Sequence, residues 1–317
     1  MGFSADDRIS TYRVERELGS TTTGVLYQAV HLVLPRRAMI KVAHAARSQQ
    51  FAVQLLREAC VLEALSHPGI PAVYESGLLE DRRPWFASEV IEGTTLAERL
   101  LDGPLPSREV ATLIRDLASI LEHAHKRGVV HRALRPDRVV ITGKRDALTA
   151  VAIPDWSEAR VHDSSATTTF PAREARAYLA PELSRGEPAD DRADVFSLGV
   201  LAYHALTGAF PRGTLDFAFI PTSERCPDAP RELTSLIDQM LAIDRFDRPT
   251  SAEIRSDLEW LADASISQQL DIVAPSGLRI RRPRWTPAIE PTMQALDPID
   301  ADDSSTVSGE IFIIEAD

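Results

Sequence analysis

One lysine constrains the fold before anything else in the chain. Arg37 to Ala43 alternates into a strand whose centre reads Ala38-Met39-Ile40-Lys41-Val42. Lys41 stands at the inner end of that buried strand, and a buried ammonium is costly unless it is paired. Such a strand demands a neighbour that brings it a carboxylate. The segment from Phe51 to Leu65 is placed to do so, with Phe51, Leu55, Leu56, Ala59 and Leu62 recurring at helical spacing. Cys60 falls between Ala59 and Val61 in that pattern and reads as a buried thiol. Tyr12 to Val30 reads as two strands around a turn, so the chain opens as a sheet with one main helix.

The later chain turns helical. Strands are expected at Ala72–Ser76 and Trp85–Val90, then a short helix from Thr95 to Leu101, broken by Gly103, Pro104 and Pro106. Ser107 is placed to cap a long helix running to Lys126, with Leu113, Leu117, Ile120, Leu121 and Ala124 as its buried stripe. His123, His125 and His131 lie close together in sequence, but no Cys or carboxylate completes a metal site at ligand spacing, and structural histidines are expected. Ser251 to Ala262 reads as a last amphipathic helix. From about Ser265 the pattern dissolves into a proline-punctuated linker that need not pack. It carries a basic island, Arg279 to Trp285, and an acidic run, Asp297 to Asp303. It ends on Glu310-Ile311-Phe312-Ile313-Ile314-Glu315, an apolar run expected to dock as a short strand or peptide.

The stretch from Val129 to Ile141 reads Val-Val-His-Arg-Ala-Leu-Arg-Pro-Asp-Arg-Val-Val-Ile. It resembles the catalytic loop of protein kinases, whose pattern is His-Arg-Asp-Leu-x-x-x-x-Asn. His131, Arg132, Leu134 and Pro136 keep the frame. Ala133 stands where the family has its catalytic Asp, and Arg138 where it has its metal-binding Asn. The resemblance runs in order from about residue 12 to 262. Leu18 to Tyr27 resembles the glycine-rich loop, with Gly19 and Gly24 kept and Thr21 at the middle glycine; such loops close backbone amides on phosphates. The strand of Lys41 resembles Val-Ala-Ile-Lys, and Glu58 then matches the helix glutamate of the ion pair. Leu26 and Met39 would form the ceiling over adenine, with Met39 either filling that space or packing above it. Glu89 and Ile91 would offer backbone groups to adenine, and Val140 belongs to the same vestigial nucleotide site. His67-Pro68-Gly69-Ile70-Pro71 is similar to bacterial serine/threonine kinases in particular.

Pro154-Asp155-Trp156-Ser157 resembles Asp-Phe-Gly, with Asp155 at the metal-binding Asp, Trp156 in the Phe slot and Ser157 at the glycine. Glu158 to Tyr178 resembles an activation segment. It offers Thr167, Thr168 and Thr169 as phosphorylation candidates, and Ala175 where the family has a threonine. Ala180-Pro181-Glu182, the helix opened by Asp194, and Arg248 resemble the scaffold of the large lobe. There Arg248 would pair with Glu182, and Asp194 would hold the amides of the catalytic loop. The implied fold is α+β and two-lobed: a small β-rich N-lobe over 12–92, a mostly helical C-lobe over 93–264, and a largely disordered tail over 265–317.

Composition excludes some classes. The 317 residues carry a formal charge of -12, a poor balance for sequence-independent nucleic-acid binding. No stretch approaches the ~20 apolar residues that span a bilayer, and Met1 to Arg8 lacks a signal pattern, so a cytoplasmic protein is expected. Two cysteines, Cys60 and Cys226, make no disulfide framework.

Thr21, Ala133, Arg138, Ser157 and Ala175 all depart from the family on the reaction side. Ala133 cannot orient a substrate hydroxyl or take its proton, a role worth ~10²–10⁴ in rate. Arg138 offers only donors and a fixed positive charge, so it repels a cation and can meet a phosphate directly. The resemblance, with these departures, implies a pseudokinase, not an enzyme. Its expected role is a signalling scaffold or switch that binds protein partners, an active kinase among them, and holds nucleotide without metal. No cofactor is required for that role; ATP stays a candidate ligand, Mg²⁺ a weaker one, and Asp155 the one remaining metal position. One alternative is a low-activity or unconventional serine/threonine kinase with Asp137 or Asp155 standing in. Another is a phosphorylated adaptor, read at Thr167–Thr169 or Ser304–Ser308, in which Arg132 pairs with a phosphothreonine.

Overall fold

The computed structural model describes residues 2–45, 49–143, 151–161, 175–211 and 220–259. All of them belong to the first of two compact units, Met1–Ile272. Thr167 to Thr169 and the expected tail and docking segment lie outside the described residues.

Strands β1 (Arg8–Ile9), β2 (Tyr12–Ser20), β3 (Gly24–His31), β4 (Arg37–Ala43), β5 (Val73–Leu78) and β6 (Pro84–Ser88) form one antiparallel sheet in the order β1-β2-β3-β4-β6-β5. Short antiparallel connections suffice for every neighbour except β4–β6, and between them runs helix α1 (Gln49–Ala64). Lys41 lies opposite Leu26 on one side and Phe86 on the other, which places its side chain at the centre of the sheet. Gly24 is required where β3 begins, because a Cβ there would collide with the carbonyl of Val42. One face of the sheet packs Ile9, Tyr12, Tyr27, Ile40 and Trp85 into a small core.

Helix α1 does not bury the stripe expected of it. Leu55, Ala59 and Leu62 are buried, but Leu56 is 41% exposed and Cys60 is exposed rather than an interior thiol. The buried face instead includes Gln54 and Glu58, polar groups that an apolar count overlooks. Both reach partners across the site, Glu58 on Lys41 and Gln54 on Ser157 O.

A short link leads to β7 (Thr94–Thr95) and helix α2 (Leu96–Leu100), which Thr95 and Glu98 close with a capping box. Gly93 lies so close to Ile141 that a Cβ would strike its carbonyl. Helix α3 (Ser107–His125) begins one residue earlier than expected, with Pro106 in the cap position and no side-chain cap bond. Its stripe Leu113, Leu117, Ile120, Leu121 and Ala124 is buried as the spacing requires. Beyond it β8 (Val129–Val130) pairs with β11 (Arg160–Val161), and β9 (Val140–Ile141) lies between β7 and β10 (Val151–Ala152). These short ladders pin the two loops that carry Ala133 and Asp155. Helices α4 (Pro181–Ser184), α5 (Arg192–Thr207), α6 (Thr222–Arg225) and α7 (Arg231–Met240) complete the helical part, and residues 251–259 are helical. Helix α5 is buried almost all round, so it is a central rod and not a surface helix. The β-rich first part and helical second part are those of the expected two-lobed fold.

Candidate active site

Lys41 finds its carboxylate on α1. Its Nζ lies 2.7 Å from Glu58 Oε2 and 3.0 Å from Oε1, with both side chains 4% exposed or less. Burial pushes the Glu58 carboxyl up to about 7, against the pull of Lys41. The pair faces a cavity of about 460 Å³ walled by Leu26, Met39, Phe86 and Ser88, within the range of small-molecule sites. Met39 stands opposite Ser88 in the sheet and forms part of the wall without filling the space. Gly19, Gly24, Glu89, Ile91 and Val140 are not among the residues that wall this cavity. The amide of Glu89 donates to Ala72 O at 2.9 Å, and Val140 pairs with Ala152 and Thr95.

The loop above the cavity is closed on itself. Thr21 Oγ1 donates to Gly24 O at 2.9 Å, while Gly24 N donates to Thr21 Oγ1 at 3.2 Å and Thr21 N to Gly24 O at 2.8 Å. His44 Nε2 reaches Thr21 O at 2.8 Å. The Thr21 hydroxyl therefore holds the Gly24 amide inside the turn, and the backbone bond to Gly24 O takes up the Thr21 amide.

The loop below is held from α5. The two Asp194 oxygens accept from the amides of His131 and Arg132, each at 2.7 Å, and Asp194 Oδ2 also meets His125 Nε2 at 2.9 Å. Arg132 adopts a left-handed backbone at φ 66°, rare for a side chain of its size, and this double bond from Asp194 fixes it. Burial pushes the Asp194 carboxyl up, and its bond to His125 prevails and holds it below the ordinary range. His131 is fully buried, donates from Nε2 to Asp155 O at 2.8 Å, and packs edge-on against Trp156 at 4.8 Å. Trp156 is itself fully buried and donates to Ile153 O at 2.8 Å. Ala133 donates its amide to His131 Nδ1 at 3.3 Å and carries only a methyl group as side chain.

Asp155 is not free. Arg138 Nε lies 3.1 Å from Asp155 Oδ2, and Ser157 N donates to Oδ1 at 3.0 Å. Burial pushes the Asp155 carboxyl up, but Arg138 and Lys41 pull it well below the usual carboxylate range. A divalent metal, which the fold would place here, does not fit this donor set. One carboxylate faces two fixed cations, and no group of three His, Cys, Asp or Glu side chains able to hold a metal occurs among the described residues. The three histidines are structural in the same sense: His125 bridges Ser251 and Asp194, His131 meets Asp155 O, and His123 packs against His67 at 5.1 Å.

Some site residues escaped the reading of the sequence. Gln54 Nε2 donates to Ser157 O at 3.1 Å and reaches Glu158 Oε1 at 3.3 Å, tying α1 to the loop after Asp155. Its spacing of four from Glu58 was the available signal. Burial lowers the affinity of Arg132 and Arg160 for their protons, and the charge of Glu158 opposes that in both. Asp137 is gripped by Arg135 Nε at 2.7 and 2.9 Å, at the mouth of the cavity. In the large lobe Arg248 donates to Glu182 at 2.7 and 2.9 Å, with both side chains buried.

This geometry has close relatives. The protein kinase domain family model matches residues 12–261. The serine/threonine-protein kinase PknL of Mycobacterium bovis is 32% identical over 281 residues, covering 84% of this chain and 69% of that protein. PknJ of Mycobacterium tuberculosis is 31% identical over 264 residues, covering 78% of this chain. The chain spans 45% of PknJ, under half its length. The crystal structure of the Mycobacterium tuberculosis PknI kinase domain superposes with a TM-score of 0.64 at 26% identity, covering 82% of this chain and 99% of that one. These matches overturn the expectation that the chain is not an enzyme. Its relatives over the same domain are named serine/threonine protein kinases, and the Lys41–Glu58 pair and Asp155 still face an open cavity. The chain belongs to the protein kinase domain family, and within it resembles the mycobacterial serine/threonine protein kinases.

Proposed function

We propose that the chain is a slow, unconventional serine/threonine protein kinase that takes ATP in the cavity beneath Met39. The observation that carries this reading is the convergence of Lys41, Glu58, Asp155 and Arg138 on that one cavity. In the transfer, the bond from the γ-phosphorus to the bridging oxygen breaks and its electron pair leaves with ADP. A new bond forms to a substrate hydroxyl oxygen. Lys41 and Arg138 supply fixed positive charge beside the phosphates, where positioning and electrostatics do most of the catalytic work. No carboxylate at 133 receives the hydroxyl proton, which leaves on an oxygen of the transferred group. That deficit lowers the rate by ~10²–10⁴ relative to a site with a general base. The choice of a serine or threonine hydroxyl rests on the names of the relatives, PknL and PknJ. One solved PknI kinase domain is a double mutant in which an arginine is exchanged for asparagine. The same exchange of residue types separates Arg138 from the family's usual residue.

The test is incorporation of label from γ-labelled ATP into the chain itself or a serine/threonine peptide, with Mg²⁺, with Mn²⁺ and with a chelator. Slow labelling that disappears in Lys41→Met and Asp155→Asn is expected. No label under any condition would overturn the reading and leave a binding module.

A further inference from the structure

Arg138 is the least finished buried group in the cleft. Its side chain is 11% exposed, and its Nε sits at ion-pair distance from Asp155. Yet neither Nε nor Nη1 makes a hydrogen bond among the described residues, although both atoms are buried. Buried donors without acceptors are rare and each one requires an explanation. A guanidinium presents its N–H groups as a planar fork that matches phosphate oxygens two at a time. The fork here borders the same cavity as Lys41 Nζ. The loop overhead contributes less than its glycines suggest, because the amides of Thr21 and Gly24 are spent within the turn. With those two amides spent, Lys41 and Arg138 are the cationic side chains beside the Lys41 end of the cavity that can meet the charge of a bound polyphosphate. A divalent cation entering beside Asp155 would have to displace Arg138 and sit against two positive groups with one carboxylate as ligand.

We propose that the cleft takes a nucleoside triphosphate as its metal-free anion, with the Arg138 guanidinium standing in place of the divalent cation. Mg²⁺ then competes with the protein for the phosphates and weakens binding. This deepens the ATP-site reading above and rests on it.

The experiment is binding of ATP to the full chain by calorimetry and by thermal shift, in EDTA and in excess Mg²⁺, for the wild type and Arg138→Asn. The unliganded melting temperature of the variant reports whether it folds. Wild type is expected to bind at least roughly tenfold tighter in EDTA than in Mg²⁺. Arg138→Asn is expected to lose metal-free binding and to gain from Mg²⁺. Tighter wild-type binding in Mg²⁺ would overturn the inference and leave the ATP site standing. Binding in neither condition would overturn the inference and the ATP site together. Equal behaviour of wild type and variant would overturn the role of Arg138.

Discussion

Two arginine–carboxylate pairs, one in the large lobe and one in the cleft, are built to different standards. Arg248 donates to both oxygens of Glu182 and to the carbonyls of Ala242, Arg192 and Ile243, and stacks over Phe196 at 5.0 Å. That satisfies all five donors a guanidinium has. Arg138 faces Asp155 at 3.1 Å with two buried N–H groups unanswered. The first pair is complete without any ligand, as a fastener between α4 and the turn before the last helix must be. The second borders the cavity with those two donors buried and unanswered. A satisfied buried pair contributes rigidity, whereas buried donors without acceptors cost stability.

The largest effect expected is on the complete pair. Arg248→Ala leaves the Glu182 carboxylate buried and three carbonyls unanswered, and is expected to cost ~3–5 kcal/mol in urea unfolding. A loss under about 1 kcal/mol would remove the distinction between the pairs.

The next effect is a pH dependence centred on Glu58. Its carboxyl releases a proton near 4.5 when unfolded and at about 7 when folded, because burial outweighs Lys41. Between these values the native state holds the extra proton, so this contribution is full below about 4.5 and is lost as pH rises through about 7. The bound on the change is ~3 kcal/mol. Urea midpoints at pH 5.5 and 8.5 should fall with rising pH in the wild type, and fall less in Glu58→Gln. A parallel fall in both proteins would place the titration elsewhere.

The smallest effect is expected at the open pair. Arg138→Ala removes two unsatisfied donors as well as one partner of Asp155, and Lys41 remains nearby to hold that carboxylate. Thermal unfolding should move by no more than about 1 kcal/mol in either direction. A loss above ~3 kcal/mol would show that Arg138 is as structural as Arg248.

Much of the fold was legible in the residues. A strand lysine that needs a carboxylate, an amphipathic segment beside it and a series of ordered motifs lead to the observed two-part architecture. The Lys41–Glu58, Glu182–Arg248 and Asp194 contacts lie where single motif positions placed them. The reading failed where the buried face is polar. Apolar spacing turns Leu56 and Cys60 inward on α1, but Gln54 and Glu58 take that face because each has a partner across the site. It failed again where lost residues were equated with lost chemistry. Ala133 and Arg138 are real departures, yet the relatives that match the same domain are named serine/threonine protein kinases.

By itself the sequence determined the strands around Lys41, the helices that follow them and the pairing of Lys41 with Glu58, because periodicity and the cost of an unpaired charge are local properties. Only the tertiary structure decided that Met39 lines the cavity without filling it, that the Thr21 hydroxyl holds the Gly24 amide inside the turn, and that Arg138 meets Asp155 with donors to spare. Those outcomes depend on distances of a few ångströms between loops far apart in the chain, and such distances are set by packing and not by any single stretch of residues.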